Sequence, residues 1–133
     1  MTNQIMTDDK VTISRVQRHL TCPQVTMVID KQGSIIECQI TESIGKIIDL
    51  SELTYIAKLV SLRYDVAQFH AILDGLQMTI NIFKHVLTLT TFLNDGKLLI
   101  VIVPKNVNLF DLINAGEDVI GIEAFPPNRL AEK

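Results

Sequence analysis

The chain has 133 residues, a formal net charge of −3 and a pI near 5.5, so we expect no nucleic-acid partner and no anionic-membrane surface as its main partner. Hydrophobic residues make up 47% and charged residues 20%, which is typical of a globular domain and not of a disordered chain. The longest apolar run, 98–104, is too short to span a bilayer, and the polar, acidic N-terminus lacks the pattern of a signal peptide. We therefore expect a cytoplasmic protein without direct membrane insertion.

The first third of the chain predicts a helix followed by a β-hairpin. Residues 1–10 are polar and predict a flexible tail, and Thr12 is placed to cap a short helix that runs to His19. Pro23 ends that helix. Two β-rich runs, at 25–29 and 34–40, flank a segment of turn composition, which is the pattern of a hairpin.

A long helix with two apolar stripes is predicted from Asp49 to Asp74. Asp49 and Glu52 have the spacing of a capping box, and Gly75 supplies the stop. With about 100° of rotation per residue, one stripe contains alanines that suit close packing on a sheet: Leu53, Ile56, Ala57, Val60, Tyr64, Ala67 and Ala71. The second stripe is rotated by about 200° and has heptad spacing. It consists of Tyr55, Leu59, Leu62, Val66, Phe69 and Leu73.

The remaining sequence predicts three strands and a closing helix. The strands cover 78–83, 86–93 and 98–103, with a strong turn signal at 94–97. Asn106 or Asn108 caps a helix from Leu109 to about Ala115, and whether it breaks at Gly116 before resuming stays open. No repeat or linker interrupts the chain, so we expect one domain over 11–125 and a C-terminal tail at 126–133. The order α-β-β-α-β-β-β-α indicates an α+β fold with helices on both faces of one sheet.

The sequence motifs propose no catalytic centre, metal site or cofactor. Residues 45–46 read Gly-Lys but lack the first glycine and the Ser or Thr of a phosphate-binding loop. His70 precedes Asp74 by four residues, and a surface pair on one helix flank explains this spacing more simply than a base with its orienting acid. Cys22 and Cys38 form no CxxC motif and are expected to be buried free thiols. We expect a protein that is not an enzyme and works through its surfaces.

The second stripe of the long helix predicts a protein–protein interface. Each of its large side chains forgoes roughly 1.5–3 kcal/mol if it stays in water. Another helix of the same chain, such as the N-terminal one, is one possible cover. A second copy of the chain, packed about a two-fold axis, is the cover that we favour. If the strand that follows lies unprotected at a sheet edge, its apolar residues extend this dimer interface. They are Met78, Ile80 and Ile82.

The polar flank between the two stripes predicts a contact surface for a further protein. It carries Glu52, Arg63, His70 and Asp74. Nothing in the sequence names that protein.

Three stretches resemble the Roadblock family, which includes dynein-associated light chains and bacterial MglB-type regulators of small GTPases. Residues 25–36 are similar to the first hairpin of the family, and 94–102 are similar to the last. The long helix lies between these hairpins at the expected distance, and the resemblance covers about 11–125.

The resemblance implies a five-stranded antiparallel sheet, with the long helix on one face and the N- and C-terminal helices on the other. It also implies a dimer in which the long helices meet and strands join across the two-fold axis. The implied role is a scaffold or regulator of a Ras-like small GTPase, or a part of a motor or polarity complex. The alternative function is a small-molecule sensor with its ligand between sheet and helix. Whether the dimer is homo- or heteromeric stays open.

Overall fold

The structure is a computed structural model and describes residues 8–41, 44, 48–67, 78–93 and 96–123. The strands form one sheet in the order β2-β1-β5-β4-β3, and every neighbouring pair is antiparallel. The predicted α+β class, the five-stranded sheet and the order of elements are confirmed. The elements are α1 (Asp8–His19), β1 (Val25–Ile29), β2 (Ile35–Ile40), α2 (Leu50–Ala67), β3 (Met78–Ile82), β4 (Val86–Phe92), β5 (Leu98–Pro104) and α3 (Leu109–Glu123).

The strand β5 lies at the centre of the sheet because it is apolar at every position. A strand that is buried on both faces reads as a continuous apolar run instead of an alternating one. Alternate side chains of β5 enter two different cores. Leu99, Val101 and Val103 belong to the core that contains residues of α1 and α3. The core beneath α2 receives Leu98, Ile100 and Ile102.

The helix α2 packs on one face of the sheet through its first apolar stripe. Leu53 and Ala57 are fully buried, and Ile56 and Val60 are half-buried against the same core. The side chains of the later members of this stripe, at 64, 67 and 71, lie outside the described part of the chain. So does the predicted helix stop at Gly75.

The β1–β2 turn touches the side of α2 so closely that only glycine fits there. Gly33 has φ 84°, and a Cβ on it would lie 3.0 Å from Lys58 Cα and 3.1 Å from the Ala57 carbonyl oxygen. The Lys58 ammonium donates a hydrogen bond to the Gln32 carbonyl oxygen at 3.2 Å. This contact fixes the position of α2 across the sheet.

The helices α1 and α3 pack together on the opposite face. Their shared core with the sheet includes Ile13 and Val16 of α1, and Leu112 and Val119 of α3. The helix α1 begins at Asp8, so Thr12 lies within the helix and does not cap it, contrary to the prediction. Two effects explain the earlier start. Carboxylates are favourable near a helix N-terminus, and the Asp9 carboxylate pairs with the Lys97 ammonium at 3.2 Å.

The helix α3 is continuous through Gly116. A Cβ at that position would lie 3.0 Å from Leu89 Cδ1 and closer still to Met78 Sδ, so the glycine permits close helix–sheet packing and does not mark a break. The cap is Asn108, whose Oδ1 accepts a hydrogen bond from the Phe110 backbone N–H at 2.9 Å. This bond identifies Asn108, and not Asn106, as the residue that caps α3.

We expect Gly33→Ala to lower the free energy of unfolding by about 3 kcal/mol, because a left-handed conformation and a clash with the α2 backbone add together. Gly96→Ala is the matched control. Gly96 has a similar φ of 77°, but the atoms nearest to its added methyl belong to the flexible Lys31 side chain. A loss of about 1 kcal/mol is expected there. Urea unfolding measures both values, and equal losses would contradict the close approach of the turn to α2.

Candidate protein-interaction site

The N-terminus of α2 is held by a reciprocal capping box, as predicted. The Asp49 carboxylate accepts hydrogen bonds from the Glu52 backbone N–H at 2.9 Å and from the Ser51 hydroxyl at 2.7 Å. Glu52 Oε1 in turn accepts the Asp49 backbone N–H at 3.0 Å. The bonds from Ser51 and Glu52 favour the charged carboxylate and hold the pKa of Asp49 below its ordinary value.

The second stripe of α2 is exposed wherever its side chains are described. Tyr55 is 65%, Leu59 47% and Leu62 64% exposed, on the side of the helix that points away from the sheet. The helix α1 lies on the other face of the sheet, so it does not cover this stripe. Val66 lies in α2, but its side chain is outside the described part, as are Phe69 and Leu73.

The flank predicted to contact another protein is partly described. Glu52 and Arg63 are both exposed. They lie on the flank of α2 opposite to Lys58 and Ser61, which contact the β1–β2 turn, and so they face the half of the sheet that ends in β3. One carboxylate oxygen of Glu52 is already used in the capping box. The other two predicted contact residues, His70 and Asp74, lie outside the described residues.

Among the strands that the structure describes, β3 lies at the sheet edge and pairs only with β4. Its apolar side chains do not continue the α2 stripe, however. Met78 and Ile80 are half-buried in the core shared with α1 and α3, on the face opposite to α2. Ile82 stands on that same face and is exposed. On its outer side, β3 therefore presents backbone N–H and C=O groups.

Beside α2, the outer half of the sheet carries polar side chains that the sequence did not lead us to expect. Thr79 pairs with Thr90, and Asn81 pairs with Thr88, so these four side chains share the α2 face. Thr88 and Thr90 are buried, whereas Thr79 and Asn81 are half-buried. The sequence of β4 indicates this polar face, because Thr88 and Thr90 alternate with the apolar Leu87 and Leu89.

Among the described residues, His19 and Cys22 lie on the α1–α3 face of the sheet, whereas Cys38 packs against the core beneath α2. His19 Nε2 lies 3.1 Å from the Asp118 carboxylate, in a half-exposed pair that joins α1 to α3. Burial raises the pKa of the Cys22 thiol, with a smaller contribution from the Asp111 charge, and burial likewise raises that of Cys38. Raised values favour the thiol over the reactive thiolate. Both cysteines are free and half-buried.

No three His, Cys, Asp or Glu side chains of the described residues gather as metal ligands would. Among the helices that the structure describes, none combines the length and hydrophobicity needed to cross a membrane.

The amino-acid sequence matches no protein-family model and no curated protein, but the fold matches solved structures. An MglB structure with a tetrameric arrangement aligns over 96% of this chain and 93% of its own, with a TM-score of 0.69 and 16% identity. The gliding protein MglB of Thermus thermophilus aligns over 86% of this chain and 87% of its own, with a TM-score of 0.68 and 14% identity. The Roadblock/LC7 domain from Streptomyces avermitilis aligns over 86% and 95%, with a TM-score of 0.60 and 14% identity.

The chain has the Roadblock/LC7 fold. The resemblance read from the hairpins and the long helix is thereby confirmed at the level of the fold. In this Roadblock fold the surface singled out by the sequence is the outer side of α2, and its exposed residues are held in place by the capping box and the β1–β2 turn.

We expect the Asp49 cap to make the stability of α2 depend on pH. Because the pKa of Asp49 is lower in the folded protein, its stabilising effect is complete above the ordinary value and is lost as the pH falls through the folded value. Asn is also a good cap but does not titrate. Thermal unfolding followed by circular dichroism from about pH 2 to about pH 7, which spans the titration of carboxylates, should show a smaller acid-induced loss in Asp49→Asn than in the parent. Identical pH profiles would contradict the cap.

Proposed function

We propose that this chain is a non-enzymatic, cytoplasmic scaffold that forms a homodimer and regulates a Ras-like small GTPase. The observation that carries the proposal is the exposed apolar stripe of α2 on a Roadblock/LC7 fold. The described part of the stripe exposes large apolar side chains that belong to neither core of the monomer.

The exposed stripe supports the dimer on energetic grounds. Tyr55 and Leu62 are each nearly two thirds exposed, and large apolar side chains at heptad spacing are typical of helix-on-helix contacts. Contiguous apolar patches on soluble proteins mark interaction sites. A second copy offers the same stripe about a two-fold axis, and the outer main-chain edge of β3, which pairs with no described strand other than β4, offers a further place for two copies to join. One of the similar solved structures is an MglB in a tetrameric arrangement.

The GTPase partner is supported by the resemblance to MglB-type regulators and by the chemistry of the flank. Glu52 and Arg63 place opposite charges beside the apolar stripe, which suits a polar rim around an apolar contact. A motor or polarity complex is the other partner that the resemblance implies. The alternative of a small-molecule sensor gains no support from the described contact between sheet and α2, where Leu53, Ala57 and Ile100 are fully buried together.

We expect the parent to scatter light as a dimer of the 14.9 kDa chain at micromolar concentration. Tyr55→Glu with Leu62→Glu should shift it to the monomer, since buried unpaired carboxylates cost several kcal/mol. Ile36→Glu with Ile40→Glu is the matched control, because these residues are exposed on β2 at the opposite edge of the sheet. A parent that is monomeric under these conditions would show the dimer proposal to be wrong.

The GTPase proposal is tested by affinity capture from the cytoplasm of the source cell, with GTPγS or GDP added. We expect a GTP-binding protein to be retained more strongly with one nucleotide than with the other. Arg63→Glu should weaken its binding by about tenfold, or ~1.4 kcal/mol, whereas Arg18→Glu on α1 makes the same charge change on the other side of the sheet and should not. Retention of no GTP-binding protein with either nucleotide would count against the proposal.

A further inference from the structure

A second exposed apolar surface lies at the N-terminal end of α3, on the face opposite to α2. Phe110 is 76%, Ile82 72% and Leu109 47% exposed. We call these three residues, with the turn residue Phe83, the corner patch. Phe83 is 51% exposed and stands at the end of β3. A single exposed apolar residue needs no explanation, but several large ones at one corner do.

The fold brings these residues together although they come from two segments. At Gly116, α3 crosses β3 and β4 next to Met78 and Leu89. From Gly116 back to Leu109 the helix covers about 10 Å, and β3 covers about 13 Å from Met78 to Ile82. The strands β3 and β5 run in the same direction because each is antiparallel to β4. The helix α3 follows β5 and returns past Met78 at Gly116, so its first turn lies level with the end of β3.

Backbone hydrogen bonds tie the two segments at the same corner. The Lys105 backbone N–H, which precedes α3, donates to the His85 carbonyl oxygen at 3.1 Å. The Phe83 backbone N–H donates to the Val86 carbonyl oxygen at 2.9 Å and closes the turn between β3 and β4. The corner patch is thus part of a fixed arrangement of turn and helix start.

The rim of the corner patch is basic in a chain that is acidic overall. Residues 82–86 and 104–110 contain two lysines and one histidine, and no Asp or Glu, whereas the whole chain has 12 Lys and Arg, 3 His and 15 Asp and Glu. Lys84, His85 and Lys105 are exposed, and neither lysine forms an ion pair with a described residue. The next acid, Asp111, is exposed and follows Phe110 on α3, and its charge reaches the Cys22 thiol.

We propose that the corner patch binds a segment of a partner protein that carries Asp or Glu next to bulky apolar side chains. The apolar side chains cover Phe110 and Ile82, while the carboxylates pair with Lys84 and Lys105. Lipid surfaces are disfavoured because anionic membranes attract clusters of about four to eight basic residues, and the chain as a whole is negatively charged. This surface lies on the other side of the sheet from the α2 stripe, and its proposal does not depend on that of the GTPase.

The test selects binders from a library of random 12-residue peptides displayed on phage, with the immobilised full chain as bait. The probes are the most enriched peptides, made synthetically with a fluorescent label, and copies in which Asp and Glu become Asn and Gln. We expect enriched peptides to combine acidic and bulky apolar residues. Their amide copies should bind at least about tenfold more weakly, and added salt should weaken the parent peptides but not the copies.

Two variants locate the binding site. Phe110→Ser removes a side chain that is mostly in water, so the fold should persist, and Lys84→Glu with Lys105→Glu reverses the rim charge. Each should weaken peptide binding by about tenfold or more. The controls are Ile36→Ser, an exposed apolar residue on the far edge strand, and Arg18→Glu on α1. Both should leave binding within about twofold of the parent.

Three outcomes would overturn the proposal. The first is a peptide selection that fails in either of two ways: no enriched peptide binds more weakly to Phe110→Ser, or the enriched peptides contain no acidic residues. The second is binding of the parent to vesicles of phosphatidylserine and phosphatidylcholine that Phe110→Ser abolishes, which would assign the patch to a lipid surface. The third is loss of self-association in Phe110→Ser by light scattering, which would assign the patch to a second copy.

Discussion

The two-sided burial of β5 is the constraint on which the rest of the structure depends. A strand without a polar position has to be covered on both faces, and one helix cannot do that. The helix α2 covers Leu98, Ile100 and Ile102, while α1 and α3 together cover the residues between them. The strands β1 and β4 flank β5, and the edges of the sheet are formed by β2 and β3. The division into an α2 face and an α1–α3 face follows, and with it the two separate surfaces.

Local sequence signals predicted most of the fold. The capping box at Asp49, the turn before Ser34 and the apolar run of β5 each act over a few residues, so their chemistry can be read in the printed sequence. The predicted start of α1 was wrong because its first turn is stabilised in part by a long-range contact. This contact joins Asp9 to Lys97, which lie far apart in the chain. Gly116 was ambiguous for a similar reason. A glycine reads as a break until the strand packed against it is known.

The candidate site was predictable in one part and not in another. The periodicity of α2 separates Tyr55 and Leu62 from Leu53, and the structure exposes the first two and buries the third. For β3, alternation shows that Ile80 and Asn81 point to opposite sides, but it does not say which side faces α2. That assignment depends on pairing with β4, a long-range property. The apolar side of β3 consequently lies behind the sheet, not beside the α2 stripe.

The contact between Gly33 and the α2 backbone has a consequence for the thermodynamics of recognition. The helix α2 is capped at Asp49 and contacts the β1–β2 turn beside Ser61. It therefore loses little conformational freedom when a partner binds. Binding through such a surface requires little ordering entropy, so even a modest apolar contact area yields useful affinity. The absence of a side chain at Gly33 thereby allows the contact that preorganises the outer side of α2 for binding.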